Sequence, residues 1–247
     1  MLYCGERFAE RMRASWTRIY LKTSRIFCAS CLGPSHLLDA PSIPPRAELQ
    51  RPQVSQVLTE LREATHNNHC ALERRLPFTS ARLDIELYRQ LMQAYYGFYR
   101  PLEQRLKAGG HLDSIMGSTR YKSAALRADL LALGLSAEQI LQLPQCHKLP
   151  VVDNPLQITG VLYVIEGATL GGQILRRIAR DQLGLEEHTG ASFLDVYGKA
   201  TGVMWKAYLA HLAAVDLPEE RAQVIQAALD VFSCFESWLE QAGVLQR

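Results

Sequence analysis

Leu162-Tyr-Val-Ile-Glu-Gly-Ala-Thr-Leu-Gly-Gly-Gln-Ile-Leu175 is the stretch whose reading decides the fold. Its apolar residues recur at helical spacing, yet Gly167, Gly171 and Gly172 lie in its interior. Each interior glycine costs a helix roughly 1 kcal/mol relative to alanine, so three so close together need a reason. Either another helix packs very close here, or something flat lies against the bare backbone. Gly167 and Gly171 are one turn apart, so they share a face, and the helix can bend there.

Working outward, the helix is expected to run from Pro155, a good first-turn residue, to Leu183, with Gly184 as its stop. Upstream, Val54 to Leu76 carries Val54, Val57, Leu58, Leu61, Thr65, His69, Leu72 and Leu76 at steps of three and four, and Pro77 ends it. A second helix is predicted over Asp84 to Lys107, kinked at Pro101 and stopped by Gly109-Gly110. Its aromatics Tyr88, Tyr95, Tyr96, Phe98 and Tyr99 read as core. Lys122 to Leu133 gives a third, and Ser136-x-x-Gln139 reads as a capping box for a short fourth. Downstream, Thr201 to Leu212 and Pro218 to Gln241 complete the set, with Gly190 to Gly198 as a connection. No useful strand pattern occurs. The expected fold is all-α, one compact multi-helix bundle.

Residues 1–52 differ. Up to Ser42 they hold six Arg or Lys against three acids, then run into Pro41-Ser-Ile-Pro-Pro. They read as a poorly ordered extension, either a transit peptide or upstream sequence from a misplaced start, with the domain at 53–247. The chain has 48% apolar and 21% charged residues and a net charge of +2, which gives no argument for a nucleic-acid partner. No run of eighteen apolar residues suggests a membrane span, so a cytoplasmic protein is expected. Six scattered cysteines form neither a disulfide framework nor a four-ligand zinc site. Cys70, Cys146 and Cys234 read as reduced packing residues, and Cys28-x-x-Cys31 carries only a weak redox signal.

His66 and His69 are the histidines of the first helix. His69 falls on the apolar stripe between Thr65 and Leu72, while His66 lies off it toward solvent. Glu63-x-x-His66 fits half of a bundle di-iron site, but no second copy exists to complete it. One inward imidazole facing a glycine-broken helix instead suits a haem, whose iron keeps an open position when a single histidine holds it.

These residues carry a resemblance. Leu61-Arg-Glu-Ala-Thr-x-x-x-His69-x-x-x-Glu73 resembles the proximal helix of haem oxygenases, and Leu162 to Gln173 is similar to their distal helix. Tyr197-Gly-x-x-Thr-Gly-x-x-Trp205 and Phe235-Glu-x-Trp238 resemble the C-terminal helices of the bacterial branch, especially members paired with bacteriophytochromes. The resemblance implies His69 as the iron ligand, Glu73 beside it, and Gly167 and Gly171 as distal glycines against haem. It places Arg62 and Tyr163 at the propionates, with Lys206 a weaker candidate. Where mammalian members carry an aspartate after the first distal glycine, this chain has Ala168, which removes the obvious polar organiser of a water network.

The implied reaction is oxidative cleavage of haem to biliverdin, carbon monoxide and ferrous iron. With no dinucleotide-binding glycine fingerprint in the chain, a separate ferredoxin, flavoprotein or similar donor is expected to supply electrons. The alternatives are a non-catalytic haem protein for storage, delivery or sensing, and a haem-free enzyme on the same scaffold.

Overall fold

Val57, Leu58, Leu61, Thr65 and Leu72 are buried along α1 (Gln56–Arg75), the stripe the spacing predicts. The computed structural model describes residues 55–80, 83–109 and 120–246. The expectations for residues 1–52, including Cys28 and Cys31, and for Gly110 therefore lie outside the described residues. The remaining helices are α2 (Ile85–Ala108), α3 (Ser123–Ala132), α4 (Ala137–Leu141), α5 (Pro155–Leu183), α6 (Thr201–Leu212) and α7 (Pro218–Gln241). Short 3-10 turns at Pro77–Thr79, Glu187–Thr189, Phe193–Asp195 and Gly198–Ala200 punctuate the connections. No strand occurs among the described residues, and the fold is all-α.

Local chemistry explains the boundaries. Asp84 caps α2 by accepting from the Leu87 amide at 2.8 Å. The capping box expected at Ser136 is present, with Ser136 Oγ accepting from Gln139 N and Gln139 Oε1 accepting from Ser136 N. Asn154 accepts from two amides at the start of α5, whose first residue is Pro155. Gly184 closes α5 in the left-handed conformation (φ 68°), with Leu185 N donating back to Ala179 O, the geometry a glycine stop allows. Tyr88, Tyr95, Tyr96, Phe98 and Tyr99 are all buried, as their reading as core requires.

The core is organised by α7. Both α5 and α1 pack extensively on it, whereas α1 and α5 touch each other far less. The α5–α7 contact is tight because Gly160 has no side chain: a Cβ there would lie 2.2 Å from the Val224 carbonyl oxygen. Trp238 of α7 donates from Nε1 to the Ala94 carbonyl at 2.7 Å and so ties α7 to α2. Arg75 at the end of α1 pairs with Glu236 and Glu240 of α7, and its carbonyl accepts from Gln246 N.

By length and composition α5 is apolar enough to cross a membrane, and more than half of its most apolar stretch is buried inside the fold. Its other uncovered apolar residues, Val164, Leu170, Ile174 and Leu175, are half-buried. A helix of core composition is thus left partly uncovered along its middle.

Replacing Gly160 by Ala adds intrinsic helix propensity but forces its Cβ into the Val224 carbonyl and to 2.7 Å from the Ala227 Cβ. Overpacking of this kind costs about 1–3 kcal/mol, so urea denaturation should show a lower midpoint at unchanged slope. Gly202→Ala, in α6 with nothing within 4 Å of the new Cβ, should instead hold or raise the midpoint.

Candidate functional site

His69 has 41% of its side chain exposed, yet surrounding protein desolvates it enough to hold its pKa below the ordinary histidine value, with the nearby His66 adding to the depression. Exposure combined with desolvation describes a recess rather than a convex surface. The wall of that recess includes Phe232 of α7, whose ring meets the imidazole edge-on at 6.1 Å between centroids. Burial thus favours the neutral imidazole, the form in which a histidine ligates a metal.

Glu73 stands one turn on, its Oε1 3.5 Å from His69 Nε2, close enough for charge interaction but too long for a good hydrogen bond. That oxygen is buried and makes no hydrogen bond to the protein. Desolvation raises the Glu73 pKa to about 7. His66 is exposed, as its position off the stripe predicts, with its ring nitrogens 3.7 and 3.8 Å from Cys70 Sγ. Arg62 is half-buried two turns before His69, about 10 Å along the helix axis. The cysteines of the described part, Cys70, Cys146 and Cys234, are all free.

On α5 the glycines separate into two kinds. A Cβ at Gly172 would strike the Leu194 carbonyl oxygen at 2.2 Å, so that glycine answers to close backbone packing. A Cβ at Gly167 would meet nothing nearer than Trp205, at 3.8 Å, an ordinary contact. Packing within the protein thus explains Gly172 and leaves Gly167 unexplained. Tyr163 is half-buried beside Trp205 (6.3 Å between ring centroids), and Trp205 stacks on Tyr208 at 5.2 Å. Tyr208 Oη in turn donates to the Thr159 carbonyl at 3.1 Å. Gly171 is buried, and Ala168 and Lys206 are exposed.

The structure therefore brings together His69 with Glu73 on α1, and Tyr163 with Gly167 through Trp205 on the α5 side. These two groups sit on helices that share α7 as a support.

One feature of the site was not anticipated from the sequence. Glu166, 1% exposed, is gripped by three donors: Arg120 Nη1 at 2.5 Å, Lys122 Nζ at 2.6 Å and Tyr197 Oη at 3.0 Å. Lys122 also donates to the Arg120 carbonyl, Arg120 Nη2 donates to the Met204 carbonyl, and Glu103 accepts from the amides of Lys122 and Ser123. Burial lowers the Lys122 pKa against the opposing pull of Glu166. Burial, and then the Glu166 carboxylate, push the Tyr197 phenol well up, so it stays a donor. The signal in the sequence was Glu166 as the one charged residue between Pro155 and Leu175 of this helix, directly before Gly167.

A sequence model described as Heme oxygenase matches residues 55–241. The chain belongs to the haem oxygenase family. Solved structures agree at the level of fold. The heme oxygenase of Leptospira interrogans superposes with a TM-score of 0.62 at 24% identity, covering 75% of this chain and 98% of that one. The NO- and CO-bound heme oxygenase of Neisseria meningitidis gives 0.60 at 22% identity, covering 77% and 92%. Heme oxygenase-1 from the cyanobacterium Synechocystis, in complex with heme, gives 0.54 at 20% identity, covering 75% and 91%. No curated protein matches the chain by sequence. The family resemblance read from the two helical motifs is thereby established.

Two predictions arise from these charges. The Glu73 pKa in the fold lies above its ordinary value of 4.5, so its contribution to stability is full below pH 4.5 and lost as pH rises through about 7. Thermal melts of the apoprotein should therefore show Glu73→Gln gaining on wild type between pH 5 and pH 8. Glu166→Ala leaves two buried cations uncompensated, and chemical denaturation should show a loss of about 3–5 kcal/mol.

Proposed function

We propose that this chain is an active haem oxygenase, cleaving haem to biliverdin, carbon monoxide and ferrous iron with dioxygen and external electrons. The observation that carries this reading is the pairing of a neutral, recessed His69 with a Gly167 that protein packing does not explain. The residues fit the group. His69 offers a neutral nitrogen, the buried Glu73 Oε1 is left for a ring N–H to engage, and the bare backbone at Gly167 is a surface that a Cβ would fill. Bound haem would supply the redox iron and, at the same time, the carbon skeleton that is cut.

The chain's own residues do the rest. His69 would hold the iron through Nε2, the nitrogen that now points toward Glu73. Turning the ring to present Nε2 brings Nδ1–H toward Glu73, which would then fix the ring's orientation and raise its basicity. Gly167 and Gly171 would admit the macrocycle close to the α5 backbone. Arg62 and Tyr163 would meet its propionates, with Lys206 at the rim. Phe232, the Trp205–Tyr208 stack and the apolar residues of α5 would exclude bulk water from the ring's faces. Because Ala168 has no polar side chain, protons must reach the distal face through backbone groups and the residues around it.

Electrons would come from a separate ferredoxin or flavoprotein, in the cytoplasm. A bilin-accepting bacteriophytochrome is the natural consumer of the product. The second reading, a haem carrier without turnover, draws on Ala168 alone.

Hemin titration with reductant-driven turnover is the test. Wild type should give a histidine-ligated Soret band that bleaches to bilin on adding a reductase or ascorbate. His69→Ala should lose that band while His66→Ala keeps it; the reverse pattern would make His66 the ligand. A stable Soret band under reductant would identify a carrier instead. Gly167→Ala should leave apoprotein stability unchanged or higher yet weaken hemin binding at least tenfold. Equal affinity in that variant would remove the glycine from the site.

A further inference from the structure

We infer that the connection at 187–200 is a two-point clamp on the glycine span of α5, and that Tyr197 and Asp195 are positioning residues for that span. The inference rests on the haem oxygenase reading for its catalytic consequence but not for its structural content.

The span in question runs from Glu166 to Gly172, about 9 Å of helix. Its glycines give it little intrinsic stiffness, and of its side chains only Glu166 and Thr169 are polar. The Thr169 hydroxyl is engaged on the Glu166 carbonyl at 2.7 Å, a back-bond that favours local bending. Something else must decide where this backbone lies. At one end, Tyr197 Oη donates to Glu166 Oε1, completing the grip of Arg120 and Lys122. At the other, the Leu194 carbonyl sits where a Gly172 Cβ would be, and Asp195 pairs with Arg176 of the next turn at 2.5 Å. Both ends are therefore fastened by one short connection, at residues 194–195 and 197.

A clamp works only if it is itself anchored, and this one is anchored independently of α5. Asp129 of α3 accepts from Ser192 N and Phe193 N at 2.8 Å and from Ser192 Oγ at 2.7 Å. Tyr88 of α2 donates to the Gly190 carbonyl at 2.9 Å. The Phe193 ring meets Tyr95 and Tyr99 edge-on at 5.7 and 5.2 Å. Force on the glycine span is thus passed to α2 and α3. With the ends held, the faces of Gly167 and Gly171 can move only by bending between them. The height of that arch would fix how a flat ring seats, and so which of its edges is presented for reaction.

The experiment uses the full chain with Tyr197→Phe, Asp195→Asn and, as a control of similar stability cost, Ser136→Ala at the α4 cap. In the apoprotein, hydrogen–deuterium exchange should speed up about tenfold at residues 167–172 in Tyr197→Phe, the lower end of what losing a hydrogen bond to a charged group releases. Exchange in α1 should be unchanged, and Ser136→Ala should leave 167–172 as in wild type. If Tyr197→Phe and Ser136→Ala change exchange alike, uniformly with global stability, the clamp is overturned. In the hemin-loaded protein, Tyr197→Phe and Asp195→Asn should bind hemin within about twofold of wild type but yield a changed ratio of bilin isomers. An unchanged ratio in both variants overturns the positioning role. A wild type that binds hemin without turnover sinks the proposed function instead, while the exchange result still decides the clamp.

Discussion

Both helices that carry the candidate site lean on α7, far more than on each other. Everything else about the fold is compatible with that constraint or produced by it. Gly160 lets α5 approach α7 until backbone meets side chain, and Arg75 with its two glutamates fastens the end of α1 to the same helix. A direct α1–α5 contact would have buried His69 and covered Gly167 with side chains. Instead α7 supplies a shared floor, with Phe232 beside His69. The two proposed walls of the haem site thus have one shared support.

The electrostatics divide along the same line. On the α1 side the charged groups reach solvent, while desolvation favours a neutral His69 and raises Glu73 toward neutrality. Around Glu166 of α5 the charges are buried and paired, with Glu166 matched by Arg120, Lys122 and a tyrosine hydroxyl, although Arg120 Nε makes no hydrogen bond to the protein. A buried ion cluster of this kind adds little net stability compared with apolar packing, but it is sharply specific about geometry. That suits a helix whose glycines leave its own path underdetermined.

Most of the architecture was legible in the sequence because it is written locally. Periodic apolar residues, Pro155 and Pro218 at helix starts, the Ser136 capping box and the Gly184 stop each act within a turn or two, and α5, α6 and α7 have the boundaries those signals give. His69 was legible because its place on the stripe is a local fact too. The glycines were legible only as a question. Nothing in the sequence could separate Gly172, which makes room for the Leu194 carbonyl, from Gly167, which does not serve packing. The Glu166 cluster was hidden for the same reason: its members at 103, 120, 122, 166 and 197 meet only in three dimensions, and no periodicity links them.

The dependence on α7 also bears on the order in which the site can come into being. His69 lies near the start of the described chain, and the Phe232 that walls it lies near the other end. Contacts of such long sequence separation form late, because the intervening loop must be closed before they repay its entropy. An amphipathic α1 without α7 has an apolar stripe and no floor to set it on. A partly folded chain therefore offers a histidine but no recess, and an ordered ligand pocket becomes a property of the finished bundle alone.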